Sequence, residues 1–205
     1  MSFCLACAEW TGRGPLCGGC AADLAAGPQW RLPSGLLIGA GFAHSGAARR
    51  LVHRLKYQGI LEVAELLAGF MAPLLPAAAE ELVPVVRARL RRVRYGIDPA
   101  LEIARALSGR TGLPVSRALA APLWWPRHAA RSREGRSPPR FASVRGAGPG
   151  AILIDDVATT GATLQAASGA LGSDFRHGIV ATAPGRVRVP APIEAGEVAW
   201  RYDRT

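Results

Sequence analysis

The clearest chemistry in this 205-residue chain lies in Asp155-Asp156-Val157-Ala158-Thr159-Thr160-Gly161-Ala162-Thr163. Four apolar residues, Ala151 to Ile154, precede it, as expected of a central parallel strand covered on both faces. A helix is expected from about Ala162 to Leu171. The loop Val157 to Gly161 then lies at the carboxyl end of a strand and at the N-terminus of a helix. Unpaired amides and the helix dipole both favour a phosphate there. Gly161 lets the backbone approach closely, and Thr159, Thr160 and Thr163 add hydroxyl donors. The two carboxylates suit vicinal hydroxyls and can hold magnesium through water. A phosphate at one end and a diol at the other describe a ribose 5-phosphate. A Walker A loop would end in Gly-Lys-Ser/Thr, and a dinucleotide fold would carry GxGxxG after its first strand; neither pattern fits.

The second group is the four cysteines, all within the first 20 residues as Cys4-x2-Cys7 and Cys17-x2-Cys20. Two such pairs complete a tetrahedral Cys4 shell for a structural zinc. Gly18 and Gly19 suit a tight turn within the second pair. In so short a segment the metal replaces a hydrophobic core. Disulfides are disfavoured in a reducing compartment, and a thioredoxin-type pair would need a βαβ context that is missing. With four sulfurs bound, the metal has no open position for catalysis.

The third is Lys56, the single lysine beside 24 arginines. A compact ammonium at a helix end suits a pyrophosphate; it also suits a solvated cation favoured by the helix dipole. The net charge is +10, and all of the excess lies in residues 87–140, with 13 arginines against three acids. Such a field attracts phosphates, on nucleic acid or on a small ligand.

These residues need elements to position them. Gly27-Pro28 and Pro33-Ser34-Gly35 read as a linker. Leu36 to Ala43 reads as a buried strand, Ala47 to Lys56 as a helix, Ile60 to Met71 as a second helix and Glu81 to Val86 as a strand. Asp98-Pro99 starts a helix, with Asp98 as N-cap, that Gly112 stops. Pro114 to Ala120 is expected to be a strand. Residues 121–150 show no period and read as a long basic loop, where Trp124 and Trp125 either pack or stack on a base. The longest apolar stretch, Leu66 to Ala79, is too short for a membrane span and is broken by Pro73 and Pro76. The N-terminus lacks a basic region followed by an apolar one, so a cytoplasmic protein is expected.

Asp155-Asp156-x-x-Thr159-Thr160-Gly161-x-Thr163 looks like the PRPP-binding motif of type I phosphoribosyltransferases. Joined to the Cys4 segment and to LVHRLKYQG (Leu51 to Gly59), it makes the whole chain resemble the ComF family (ComFC/GntX-like). The resemblance implies an α/β fold: a type I phosphoribosyltransferase-like parallel sheet flanked by helices over residues 35–205, with a small zinc-binding appendage over 1–34. It implies Asp155, Asp156 and Lys56 as catalytic residues, with Asp155 and Asp156 on the ribose hydroxyls. Ala158, Thr159, Thr160, Gly161, Ala162 and Thr163 would cradle the 5-phosphate. Lys56 and Tyr57 would lie near the pyrophosphate, and Arg94 would match the arginine of the family's RGFNQA-like segment. Arg127, Arg131, Arg133 and Arg136 would lie in a flexible loop closing over Mg-PRPP. Where the family segment often has Asn-Gln, this chain has Asp98-Pro99, and Gly135 splits Glu134 from Arg136.

The implied reaction is displacement of pyrophosphate from C1 of PRPP by a nitrogen nucleophile. The implied setting is natural transformation, with single-stranded DNA, a ComFA-like ATPase and a DprA-like protein as partners. The alternative is a non-catalytic, single-stranded-DNA-associated competence factor using the same fold.

Overall fold

The computed structural model describes residues 2–120, 141–172 and 176–185. Its main sheet has five strands: β1 (Gln29–Arg31), β2 (Leu37–Ala43), β3 (Glu81–Pro84), β6 (Ala151–Val157) and β7 (His177–Ala183), in the order β1-β2-β7-β6-β3. The last four are mutually parallel, and β1 pairs antiparallel with β2. A separate two-stranded pair joins β4 (Leu119–Ala120) to β5 (Ala142–Ser143).

Helices cover both faces. On one lie α2 (Gly46–Gln58), α3 (Leu61–Met71) and α5 (Pro99–Thr111), packed on Ile152, Ile154 and Ile179 of the sheet. On the other, α6 (Ala162–Leu171) packs with Trp30, Ile38, Leu153 and Val180. Alternate residues of β6 therefore feed opposite cores, the period-2 rule at work. The chain is an α/β protein with a mostly parallel sheet flanked by helices. No helix among the described residues is long and apolar enough to cross a membrane.

Several elements differ from the sequence reading. β6 ends in the two aspartates as expected but runs one residue further, its ladder continuing through Asp155↔Val180 to Val157↔Thr182. α2 runs on to Gln58, and Gly59 at φ 67° ends it. The run 87–94 carries α4 (Arg89–Tyr95). The expected strand 114–120 shrinks to β4, with Val115 bridging Leu82. There the Leu82 amide donates to Pro114 O (2.9 Å) and Leu82 O accepts from the Ser116 amide (2.8 Å), which occupies the outer edge of β3. The expected linker holds β1, whose Trp30 is only 1% exposed. Gly18 and Gly19 open a short helix, α1 (Gly18–Ala22), with Cys17 as its N-cap. β7 was not anticipated from the sequence.

Trp30→Ala should therefore cost about 3–5 kcal/mol of stability in a denaturant titration, the range for emptying a core site of that size. A free linker would lose nothing.

Candidate functional site

The site lies at the carboxyl edge of the sheet, where open α/β folds bind ligands. β6 delivers Asp155 and Asp156, both 8% exposed. Successive strand residues face opposite ways, so Asp156 shares a side with Ile154 and α2, and Asp155 shares a side with Leu153 and α6. Lys56, in the last turn of α2, places Nζ 2.9 Å from Asp156 Oδ1, with both side chains mostly buried. Removing one partner of such a pair typically costs about 3–5 kcal/mol, because the other charge is left uncompensated. Asp155 Oδ1 accepts the Asp156 amide at 2.8 Å. Burial pushes the Asp155 carboxyl well above the ordinary value, and the charge of Asp156 adds to this while Lys56 opposes it.

The loop that follows turns from β6 into α6, and its Ala158 amide donates to Thr182 O at 3.1 Å. Gly161 is the N-cap of α6 at φ 80°. A Cβ there would sit 2.9 Å from Ile38 Cδ1 and 3.0 Å from Leu32, so both the space and the backbone angle demand glycine. Ala158 is buried, Thr159, Thr160 and Ala162 are exposed and Thr163 is half-buried. Thr160 Oγ1 accepts the Ala162 amide at 3.4 Å.

Two residues that the sequence did not single out join the edge. His44, just beyond β2, has Nδ1 2.7 Å from Thr182 Oγ1, and Thr182 donates a long bond, 3.5 Å, to Asp156 O. Burial lowers the His44 pKa, reinforced by Lys56 and Arg49 and opposed by Asp156. The usable signal in the sequence was a histidine directly after a buried strand.

Behind Lys56, Arg87 Nη1 donates to Lys56 O (3.3 Å) and Ile97 O (3.4 Å), and its guanidinium faces the rings of Tyr57 and Tyr95. Asp98 makes no side-chain cap of α5. Its Oδ2 instead accepts the Arg87 amide at 3.0 Å, tying the end of β3 to the start of α5. Tyr57 is half exposed and packs edge-on to Tyr95. Arg94 is exposed on α4, with its guanidinium 5.5 Å from the Tyr95 ring. The structure thus joins Lys56, Asp155 and Asp156 directly, and sets Tyr57 and Arg94 in a neighbouring aromatic–arginine cluster. Arg127, Arg131, Arg133 and Arg136 lie outside the described residues, as do Trp124 and Trp125.

The cysteines form the second centre. Sγ atoms of Cys4, Cys7, Cys17 and Cys20 all lie within 4.8 Å of one another, with Cys7 and Cys17 3.7 Å apart. A tetrahedron with metal–sulfur bonds of about 2.3 Å has edges of about 3.8 Å, so the four are close enough to bind one metal ion. Burial pushes the Cys20 thiol up to about 12, while the hydrogen bond from Arg50 works against it. A bound cation lets such sulfurs shed their protons. Cys4, Ala6 and Cys20 belong to the same apolar cluster as Leu51 and Leu55 of α2.

Neither a scan against protein-family models nor a search of curated proteins finds a match to this chain.

The electrostatics give two expectations. Burial favours protonated Asp155 in the fold, so this group costs stability once the pH rises through its ordinary value of 3.8 and costs nothing below it. Asp155→Asn should melt higher than the unaltered protein at pH 7, with the gap closing toward pH 4. His44 should titrate below 6.5 in an NMR pH series.

Proposed function

We infer that this protein binds Mg-PRPP and is a type I phosphoribosyltransferase-like protein of the ComF kind, carrying a structural zinc on its four cysteines. One observation carries the reading. A carboxylate pair at the end of a central parallel strand is followed at once by a glycine-capped helix N-terminus, and a lysine amine reaches the pair from a different helix. The N-terminus of α6, with its dipole, and the threonine hydroxyls would take the 5-phosphate. Asp155 and Asp156 would accept the ribose hydroxyls. They are also the hard oxygen donors that magnesium takes, directly or through water. Magnesium, when bound with the ligand, supplies charge neutralisation for the pyrophosphate.

The rest of the chemistry is positional. Lys56 would swing from Asp156 to the pyrophosphate as its negative charge arrives, stabilising the leaving group as the C1–O bond lengthens. The incoming nucleophile would be nitrogen, in keeping with the resemblance. The metal reading rests on four sulfurs at zinc-like spacing with no oxygen or nitrogen donor among them.

A second reading has its own support. α4 exposes Arg89, Arg92 and Arg94 together with Leu90 and Val93, and half-exposed Tyr57 lies close by through Tyr95. Basic groups interleaved with an aromatic surface suit a single strand of nucleic acid. In that reading the protein is a competence factor that handles single-stranded DNA, with or without turnover, alongside ATPase and DNA-processing partners.

Calorimetric titration of Mg-PRPP should show binding that Asp155→Asn/Asp156→Asn abolishes. No binding by a folded, metal-loaded protein would overturn the reading. Single-stranded DNA affinity that falls steeply with salt and ignores PRPP would favour the second. Elemental analysis should find one zinc per chain, and its chelation should lower the melting temperature.

A further inference from the structure

α2 touches both centres. It has 13 residues and so spans about 20 Å. Its first turn is held by the cysteine segment. Asp23, the residue that ends α1, accepts the Ala47 amide on Oδ2 at 2.7 Å. The fit is close enough that a Cβ on Gly46 would sit 2.2 Å from the same oxygen. One turn on, Arg50 Nη2 bridges Asp23 Oδ2 (3.3 Å) and Cys20 Sγ (3.5 Å). One turn further, Arg54 Nη1 donates to Cys4 O at 3.4 Å. These contacts come from three successive turns of one face. Ala47, Ala48, Leu51, Val52 and Leu55 bury the core side. The last turn then delivers Lys56 onto Asp156.

We propose that the metal-bound cysteine segment is a positioning device for Lys56: Asp23 and Arg50 clamp the start of α2, and the helix carries that constraint to the Lys56–Asp156 contact. A helix seated on a packed core moves as a rod, so a shift at its capped end displaces its far end. Asp23 supplies the only side-chain cap on α2 among the described residues, since Ser45 makes no such bond. The metal matters because it fixes Cys20 and the short α1 that presents Asp23. Asp23 and Arg50 are therefore positioning residues that act through Lys56. The consequence for phosphate-ligand affinity rests on the PRPP reading; the geometric coupling does not.

The chain's single lysine makes the contact directly readable. A water-soluble carbodiimide joins a carboxylate and an amine only when they touch, and peptide mass spectrometry can locate the Lys56–Asp156 amide. The unaltered, metal-loaded protein should give this crosslink. Asp23→Ala, which alters an exposed side chain, should keep one metal ion and lose about tenfold in crosslink yield, the scale of a lost helix cap. Gly46→Ala displaces Asp23 from the helix side and should act likewise, while Asp23→Asn, still an acceptor for Ala47, should restore part of the yield. Trp30→Phe, which perturbs the core on the opposite face, should leave the yield unchanged.

Full crosslinking in metal-loaded Asp23→Ala, or an equal loss in Trp30→Phe, would overturn the proposal. Mg-PRPP titration of the same variants separates the two readings. A tenfold weaker affinity in Asp23→Ala that disappears in a Lys56→Met background supports action through Lys56. Equal losses in both backgrounds overturn it. If the unaltered protein takes up no Mg-PRPP while the crosslinks behave as described, the ligand reading fails and the positioning inference stands.

Discussion

Two adjacent carboxylates at the end of a buried central strand are the most demanding feature of this molecule. Each must leave water, and they repel one another. The alternation of β6 eases this by sending Asp155 and Asp156 toward different faces. Lys56 counters the charge on one of them, and the Asp156 amide supports the other. Keeping Lys56 there requires α2 to end where it does. Arg87 holds the Lys56 carbonyl from one side, and the cysteine segment holds the start of the helix from the other. Much of the architecture around the sheet edge can be understood as support for this one cost.

The cysteine segment contributes more than a separate small fold. Its sulfurs and Ala6 pack into the same apolar cluster as α2 and α3. A metal ion there would supply local order where the chain is too short to build a core. Arg50 and Arg54 add basic groups beside four sulfurs, which suits the negative charge that thiolates carry when they hold a divalent ion.

The parts legible in the sequence were those with strong local signals. The apolar runs of β2 and β6, the periodicity of α2, α3 and α5, and the glycines after α2 and α5 all did what their residue types dictate. The closeness of the cysteines followed from their spacing. What was hidden depended on partners distant in sequence. β7 shows only a weak local pattern, and its place is set by parallel pairing with β2 and β6. Trp30 sits between two proline–glycine stretches that read as a linker, yet β2 gives it a strand to pair with. Asp98 takes the N-cap position that its neighbours announce, but its carboxylate accepts the distant Arg87 amide rather than an amide of the helix's first turn. The approach of Lys56 to Asp156 spans 100 residues, and no local pattern could have announced it. The His44–Thr182 bond is hidden for the same reason.

The flanks of the main sheet have a consequence for how copies of this chain can meet. On one side the last strand, β1, is three residues long, with Pro28 before it and Pro33 soon after, so few amides are offered along it. On the other side the backbone of residues 114–116 already occupies the outer groups of Leu82. Among the described residues, neither border of the main sheet presents a long open ladder onto which a second chain could add strands. The described borders therefore offer little main-chain surface for continuous sheet growth, which shifts the contacts open to a second copy toward side chains.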